Sequence, residues 1–151
     1  MKVLILAVGK PGALLVSAIR EYETRAGRYF SLDVIEVPAG KGEHGPEAEA
    51  QRLLDRVPEG FDVVALTREG KRMSSKGLAR YLSALGLHRR PGVAFLVGGP
   101  FGLAESALSR AEHKLSLSAM SLPRDLARLL LAEQVYRAGT IIRGQPYHKG
   151  S

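Results

Sequence analysis

Five times along its 151 residues the chain passes from a short apolar run into an amphipathic stretch, and this alternation narrows the fold more than any other feature. Residues 2–8 (KVLILAV) form the first run, which Gly9-Lys10-Pro11-Gly12 breaks. Residues 13–25 then carry Leu14, Leu15, Ala18, Ile19 and Tyr22 at helical spacing. The same reasoning predicts strands over 32–37, 61–66, 92–97 and 115–117, and helices over 47–56, 75–85, 103–111 and 123–137. The loops between them include 38–46 (PAGKGEHGP), a basic 67–74, the glycine turn 98–102 and the uncharged 118–122. Strand–helix units in series build a mostly parallel sheet with both faces covered. The expected class is therefore α/β, in one domain spanning residues 1–151. Ligands of such sheets lie outside the carboxyl ends of the strands. The loops after Leu66, Val97 and Leu117 are accordingly the candidate site.

Composition limits the chemistry. The absence of cysteine excludes disulfide scaffolds, thiolate metal sites and cysteine nucleophiles. No apolar run approaches the ~20 residues of a membrane helix. The opening run reads as a strand and not a signal peptide, so a cytoplasmic location without membrane contact is expected. Charge is more telling, with 22 Lys and Arg against 15 Asp and Glu and a pI near 10.0. Residues 67–92 hold Arg68, Lys71, Arg72, Lys76, Arg80, Arg89 and Arg90 against Glu69 alone, whereas residues 33–62 are net acidic. Such segregation points to a polyanionic partner, although a solvated Arg-rich surface would look the same.

Several familiar sites are missing from the sequence. There is no G-x-x-x-x-G-K-[ST] phosphate loop, no G-x-G-x-x-G after the first strand and no G-x-S-x-G elbow. His44, His88, His113 and His148 are far apart, so no metal is expected. Three less ordinary segments remain: 95–102 (FLVGGPFG), 115–138 (LSLSAMSLPRDLARLLLAEQVYRA) and the tail 141–150 (IIRGQPYHKG). In the last predicted helix Leu126, Leu129 and Leu130 cover one side, while Leu131 and Val135 lie almost opposite. A helix apolar on two sides needs two partners, and the simplest second partner is another copy of the chain. Glu133 has Arg137 one turn later, which reads first as an ion pair and second as a catalytic acid.

These segments, in this order and spacing, resemble the RlmH family of SPOUT-class methyltransferases. The likeness runs from Leu4 to Gly9, through Ile35–Lys41, Val97-Gly98-Gly99-Pro100 with Gly102, and residues 115–123. It continues through Glu133–Ala138 to Pro146-Tyr147-His148-Lys149, and so covers essentially the whole chain. The resemblance implies the SPOUT α/β-knot fold, with a C-terminal trefoil knot and a homodimer whose active sites lie at the subunit boundary. It implies S-adenosylmethionine as cofactor and, as substrate, N3 of a pseudouridine in helix 69 of 23S ribosomal RNA in the assembled ribosome. Carried over by position, the cofactor contacts are Leu66, Gly98, Leu117, Ser118, Ala119, Met120, Ser121 and Leu122. Gly98 is expected to leave bare backbone towards the ligand.

Methyl transfer to an imide nitrogen needs a proton removed before or during attack. Tyr147, His148 and Arg124 are the catalytic candidates, with Arg124, Arg128 and Arg137 holding phosphates or the target base. Arg124 departs from the histidine that often follows this proline in the family, and it cannot serve as a base. Phe101 stands where some relatives carry a polar residue. Arg68, Lys71, Arg72, Lys76, Arg89, Arg90 and Arg128 are the expected RNA contacts. A non-enzymatic domain binding RNA or ribosomes through the same basic face is the competing reading; it would have no use for a methyl donor.

Overall fold

The computed structural model describes residues 1–148, with backbone alone at His148. The proposed roles of the His148 side chain, and the tail residues Lys149 and Gly150, lie outside the described residues. The elements run β1 (Lys2–Val8), α1 (Val16–Ala26), β2 (Ser31–Val37), α2 (Gly45–Leu54), β3 (Asp62–Arg72), α3 (Ser75–Leu87), β4 (Gly92–Val97), α4 (Glu105–Arg110), β5 (His113–Ser116) and α5 (Arg124–Ile142). A 3-10 turn over Pro146–His148 follows.

All five strands pair in parallel, in the order β2-β1-β4-β3-β5. Each crossover reverses direction along the sheet, and each successive helix changes face, as crossovers of one hand require. Thus α1, α3 and α5 cover one face, where Val3, Ile5, Val93 and Phe95 meet Leu82, Leu131 and Val135. The other face packs Leu4, Leu6, Val63 and Leu96 against Ala50, Leu53 and Ala107 of α2 and α4. Alternate residues of β1 and β4 thus serve opposite cores, which is why these strands read as unbroken apolar runs.

Three boundaries differ from the sequence reading for identifiable reasons. The basic stretch 67–74, expected as a loop, is largely strand. Residues 67–70 bulge out of β3, after which Lys71 and Arg72 resume pairing opposite Leu115 and Ser116 of β5. The resumed pairing relies on backbone bonds at an exposed edge and leaves no apolar period. Helix α5 runs on through Gly139 to Ile142, past the expected end at 137. Gly139 is there for packing, since a β-carbon would lie 2.5 Å from Cγ of Tyr29. Helix α1 begins only at Val16, after a turn over residues 13–15 whose start is held by the Gly12 N–H bonding the Asp125 carboxylate at 2.8 Å.

Of the two apolar sides of α5, the one carrying Leu131 and Val135 is wholly buried within the protomer core and is not available to a second copy. On the other side of α5 Leu130 is 36% exposed, and Ile142 at the helix end is 43% exposed.

Candidate functional site

A cleft of about 890 Å³ opens at the carboxyl ends of β3, β4 and β5. Its walls are the three loops selected by the strand-end rule. Of the proposed cofactor contacts, Leu66, Gly98, Leu117, Ser118, Met120, Ser121 and Leu122 line it, and Ala119 does not. Each wall has a local cause. The glycine turn after β4 closes on itself through a Gly99–Gly102 bridge, with Gly102 at φ +78. A β-carbon on Gly98 would sit 2.8 Å from the carbonyl carbon of Gly102. Gly98 is therefore also required by its own loop, independently of any ligand. After β5, Ser116 donates to the Ser118 carbonyl at 3.0 Å, and the Ser118 hydroxyl accepts from the Met120 amide at 3.0 Å. These two bonds shape the loop without any charged group.

The rim carries the charge. Arg68, on the β3 bulge, donates to the Ser121 hydroxyl across the mouth at 3.0 Å. Glu69 beside it accepts from the Thr67 hydroxyl at 2.8 Å; that bond, its own backbone and Arg68 hold its carboxyl below the usual carboxylate range. At the opposite end Arg124 donates to the carbonyls of Val8 and Lys10 at 3.1 and 3.0 Å, pinning α5 to the end of β1. Its guanidinium is committed to backbone and to Asp125, so Arg124 is a structural strap facing the cleft. Thr67, Glu69, Leu103 and Asp125 also line the cleft, and sequence reasoning passed over them. Only the acids offered a signal: Glu69 is the lone acid in a basic stretch, and Asp125 opens a helix.

The tail lies elsewhere. The Tyr147 hydroxyl donates to Glu133 at 2.8 Å, its ring centroid is 4.6 Å from that of Tyr136, and the Arg137 guanidinium lies over it at 4.9 Å. Burial and the bond to Glu133 raise the Tyr147 phenol well above its ordinary value, which keeps it a donor at neutral pH. Tyr147 does not line the cleft of its own protomer. Glu133 and Arg137 make the expected ion pair at 2.8 Å.

The proposed RNA contacts divide. Lys71, Arg72, Lys76 and Arg89 are exposed. Arg90 grips Asp62 with two hydrogen bonds, at 3.0 and 2.6 Å. Arg128 is a correction: it is 2% exposed, donates twice to Glu23 at 2.8 and 3.2 Å, and once to Glu36 at 2.7 Å. Burial works to lower its pKa, but the bonds and charges of Glu23 and Glu36 outweigh burial and raise it. A guanidinium so enclosed cannot reach a phosphate. Among the described residues no three metal-ligating side chains cluster, and no helix is long and apolar enough to cross a membrane.

A cleft walled by backbone-rich, uncharged loops at the strand ends, with charge confined to its rim, suits a ligand bound by shape and main-chain contacts. The family described as "Predicted SPOUT methyltransferase" matches residues 1–148, and the chain belongs to that family. The chain is 46% identical over 155 residues to the ribosomal RNA large subunit methyltransferase H of Gemmatimonas aurantiaca, covering 99% of this chain and 100% of that one. It is 39% identical over 162 residues to the protein of the same name from Acetivibrio thermocellus, at the same coverage. Full-length likeness at this level places it with these proteins inside the SPOUT class. Among solved structures, the SpoU methyltransferase AviRb from Streptomyces viridochromogenes, in complex with AdoMet, aligns at 19% identity and TM-score 0.46. That alignment covers 91% of this chain and 59% of AviRb.

Proposed function

We propose that this chain is a cytoplasmic, S-adenosylmethionine-dependent methyltransferase acting on N3 of a pseudouridine in helix 69 of 23S ribosomal RNA. One observation carries the reading: seven of the eight residues that the family resemblance assigns to the cofactor line a single cleft. The names of the relatives supply ribosomal RNA as the substrate class. The cleft is large enough for a nucleoside-sized ligand. Its floor of Leu66, Leu117 and Leu122 suits an apolar ring, and main-chain groups of residues 98–102 and 117–122 not spent within the loops supply the polar contacts. When bound, the cofactor supplies an electrophilic methyl group on sulfur. The chain's own work is to bind, to orient the two reactants in line and to exclude water.

The imide proton must leave N3. Tyr147 is kept protonated and is placed as a donor or stacking group, which leaves His148 as the tail group able to accept a proton near neutral pH. Since Tyr147 does not face its own cleft, the tail serves the cleft of a second copy, in a homodimer with active sites at the boundary. Exposed Leu130 on α5, with Leu14 at 92% exposure, gives that dimer apolar surface to cover. The trefoil knot of the class belongs to the same reading, as does the assembled ribosome as substrate. The test is transfer of labelled methyl from S-adenosylmethionine to ribosomes and, separately, to naked 23S RNA. Labelled N3-methylpseudouridine supports the reading; a product on any other atom refutes the specificity. Failure to bind S-adenosylmethionine in a titration refutes the reading as a whole.

A further inference from the structure

A second cavity, of about 380 Å³, adjoins the cleft and shares Glu69 and Leu115 with it. Its floor is apolar, formed by Val64, Leu78, Phe95 and Leu115. It exists because β5 is an edge strand of four residues, and the sheet there ends in exposed His113 and Lys114. Two rings form one wall. Tyr81 donates to Asp62 at 3.2 Å, Asp62 is gripped by Arg90, and the His113 ring meets Tyr81 edge-on with centroids 5.0 Å apart. This chain of bonds fixes the wall before any ligand arrives.

The charge at the mouth is uneven in effect. Glu112 is occupied by the Val63 amide and by Arg110, and Glu69 by Thr67 and Arg68. Lys71 and Lys114 also line the cavity and have no ion-pair partner among the described residues. Fixed rings beside unpaired cations are what single-stranded nucleic acid needs, stacking for bases and charge for phosphates. An extruded target base also leaves its neighbours unstacked and in search of partners.

We propose that this cavity is an RNA subsite that takes one unstacked nucleotide flanking the target base, its ring against His113 and Tyr81 and its phosphate on Lys71 and Lys114. The inference rests on the reading of the adjoining cleft as the methyl-donor site. The probe is a single-stranded RNA nonamer carrying one 4-thiouridine, used with full-length protein. His113→Ala should weaken its binding about 5- to 150-fold, the loss of one stacked base. Lys114→Ala should weaken it and flatten its salt dependence. Both variants should bind S-adenosylmethionine as the wild type does, which shows that they fold. Photocrosslinks in the wild type should fall on Tyr81 or His113. Unchanged RNA affinity in both variants, or crosslinks that miss this wall, overturns the subsite. Loss of dimerisation with RNA affinity intact also overturns it and gives the cavity to a second copy of the chain. Failure of the methyl-donor reading would show separately, as wild-type protein that crosslinks RNA here yet binds no S-adenosylmethionine.

Discussion

The guanidinium of Arg124 occupies the space that a side chain on Gly9 would need. Gly9 has φ +78, and a β-carbon there would collide with Nη1 and lie 2.9 Å from Cζ. The two residues meet across more than a hundred positions to fasten the N-terminal end of α5 onto β1. Gly9→Ala should cost about 1–3 kcal/mol from backbone strain alone. Arg124→Ala strips the Val8 and Lys10 carbonyls of their donor and should cost about 1–3 kcal/mol. In urea melts the double variant should lose less than the sum of the two single variants, since the collision vanishes with the arginine. Strict additivity would mean the residues act independently.

Arg128 illustrates how charge misleads without geometry. Arg128→Met leaves buried Glu23 with only the longer 3.7 Å contact to Arg20 and should destabilise by about 3 kcal/mol. The salt dependence of RNA binding by the folded fraction should not change. By contrast, replacing Lys71, Arg72 and Lys76 together by Ala should lower that slope by about 0.7 for each single-strand phosphate that is no longer neutralised, with little change in melting temperature. If the slopes behave the other way round, Arg128 reaches RNA after all.

The parts of the fold legible in the sequence were those written in apolar period. The unbroken runs of β1 and β4, together with the loops after Leu66, Val97 and Leu117, follow from periodicity and from the strand-end rule. What escaped was written in partners. Nothing near Arg128 in sequence announces Glu23, 105 residues away. Nothing near Gly139 in sequence announces Tyr29, which packs where its β-carbon would be and lets α5 run past 137. The resumption of β3 at Lys71 depends on backbone pairing with β5, to which side-chain hydropathy is blind. Within the site, the loops could be located but the straps holding them, Arg124 on β1 and Arg68 on Ser121, could not.

The two apolar sides of α5, one buried at Leu131 and one exposed at Leu130, separate two variants. Leu131→Glu places a carboxylate in the sealed core and should cost several kcal/mol or prevent folding. Leu130→Glu alters a surface position and should leave the protomer folded while weakening the proposed dimer. Light scattering at micromolar concentration, paired with thermal melts, checks both. A Leu130→Glu protein as dimeric as the wild type would move the interface away from this face.

Two tyrosines make stability depend on pH in the alkaline range. Burial, then the charge of Asp62, raises the Tyr81 phenol; burial, then Glu133, raises that of Tyr147. Above about pH 10 the unfolded chain releases phenolic protons that the folded chain retains. The stabilisation is complete below that pH and falls away as the pH rises through it. Denaturant titrations from pH 8 to pH 11 should show a shallower alkaline decline in the Tyr81→Phe/Tyr147→Phe variant than in the wild type. Parallel curves would show that neither hydroxyl contributes.

Tyr147 also decides what the tail does. In the protomer it rests on Tyr136, Glu133 and Arg137, away from the cleft, with Tyr29 bonded to Gln145 just before it. This docking orders the segment and explains how a polar tail is held, but a packing role and an active-site role predict different losses. Removing residues 146–151 should abolish methyl transfer to ribosomes while S-adenosylmethionine titrations remain at wild-type affinity. Tyr147→Phe keeps the ring on Tyr136 and removes the bond to Glu133, so substrate capture should weaken less than with Tyr147→Ala. His148→Ala should lower the single-turnover rate and change its pH profile, because it removes the only tail group that titrates near neutrality. Near-wild-type turnover by the truncated enzyme would reduce the tail to packing on α5 and return the search for the proton acceptor to the cleft rim, where Glu69 and Asp125 are the carboxylates present.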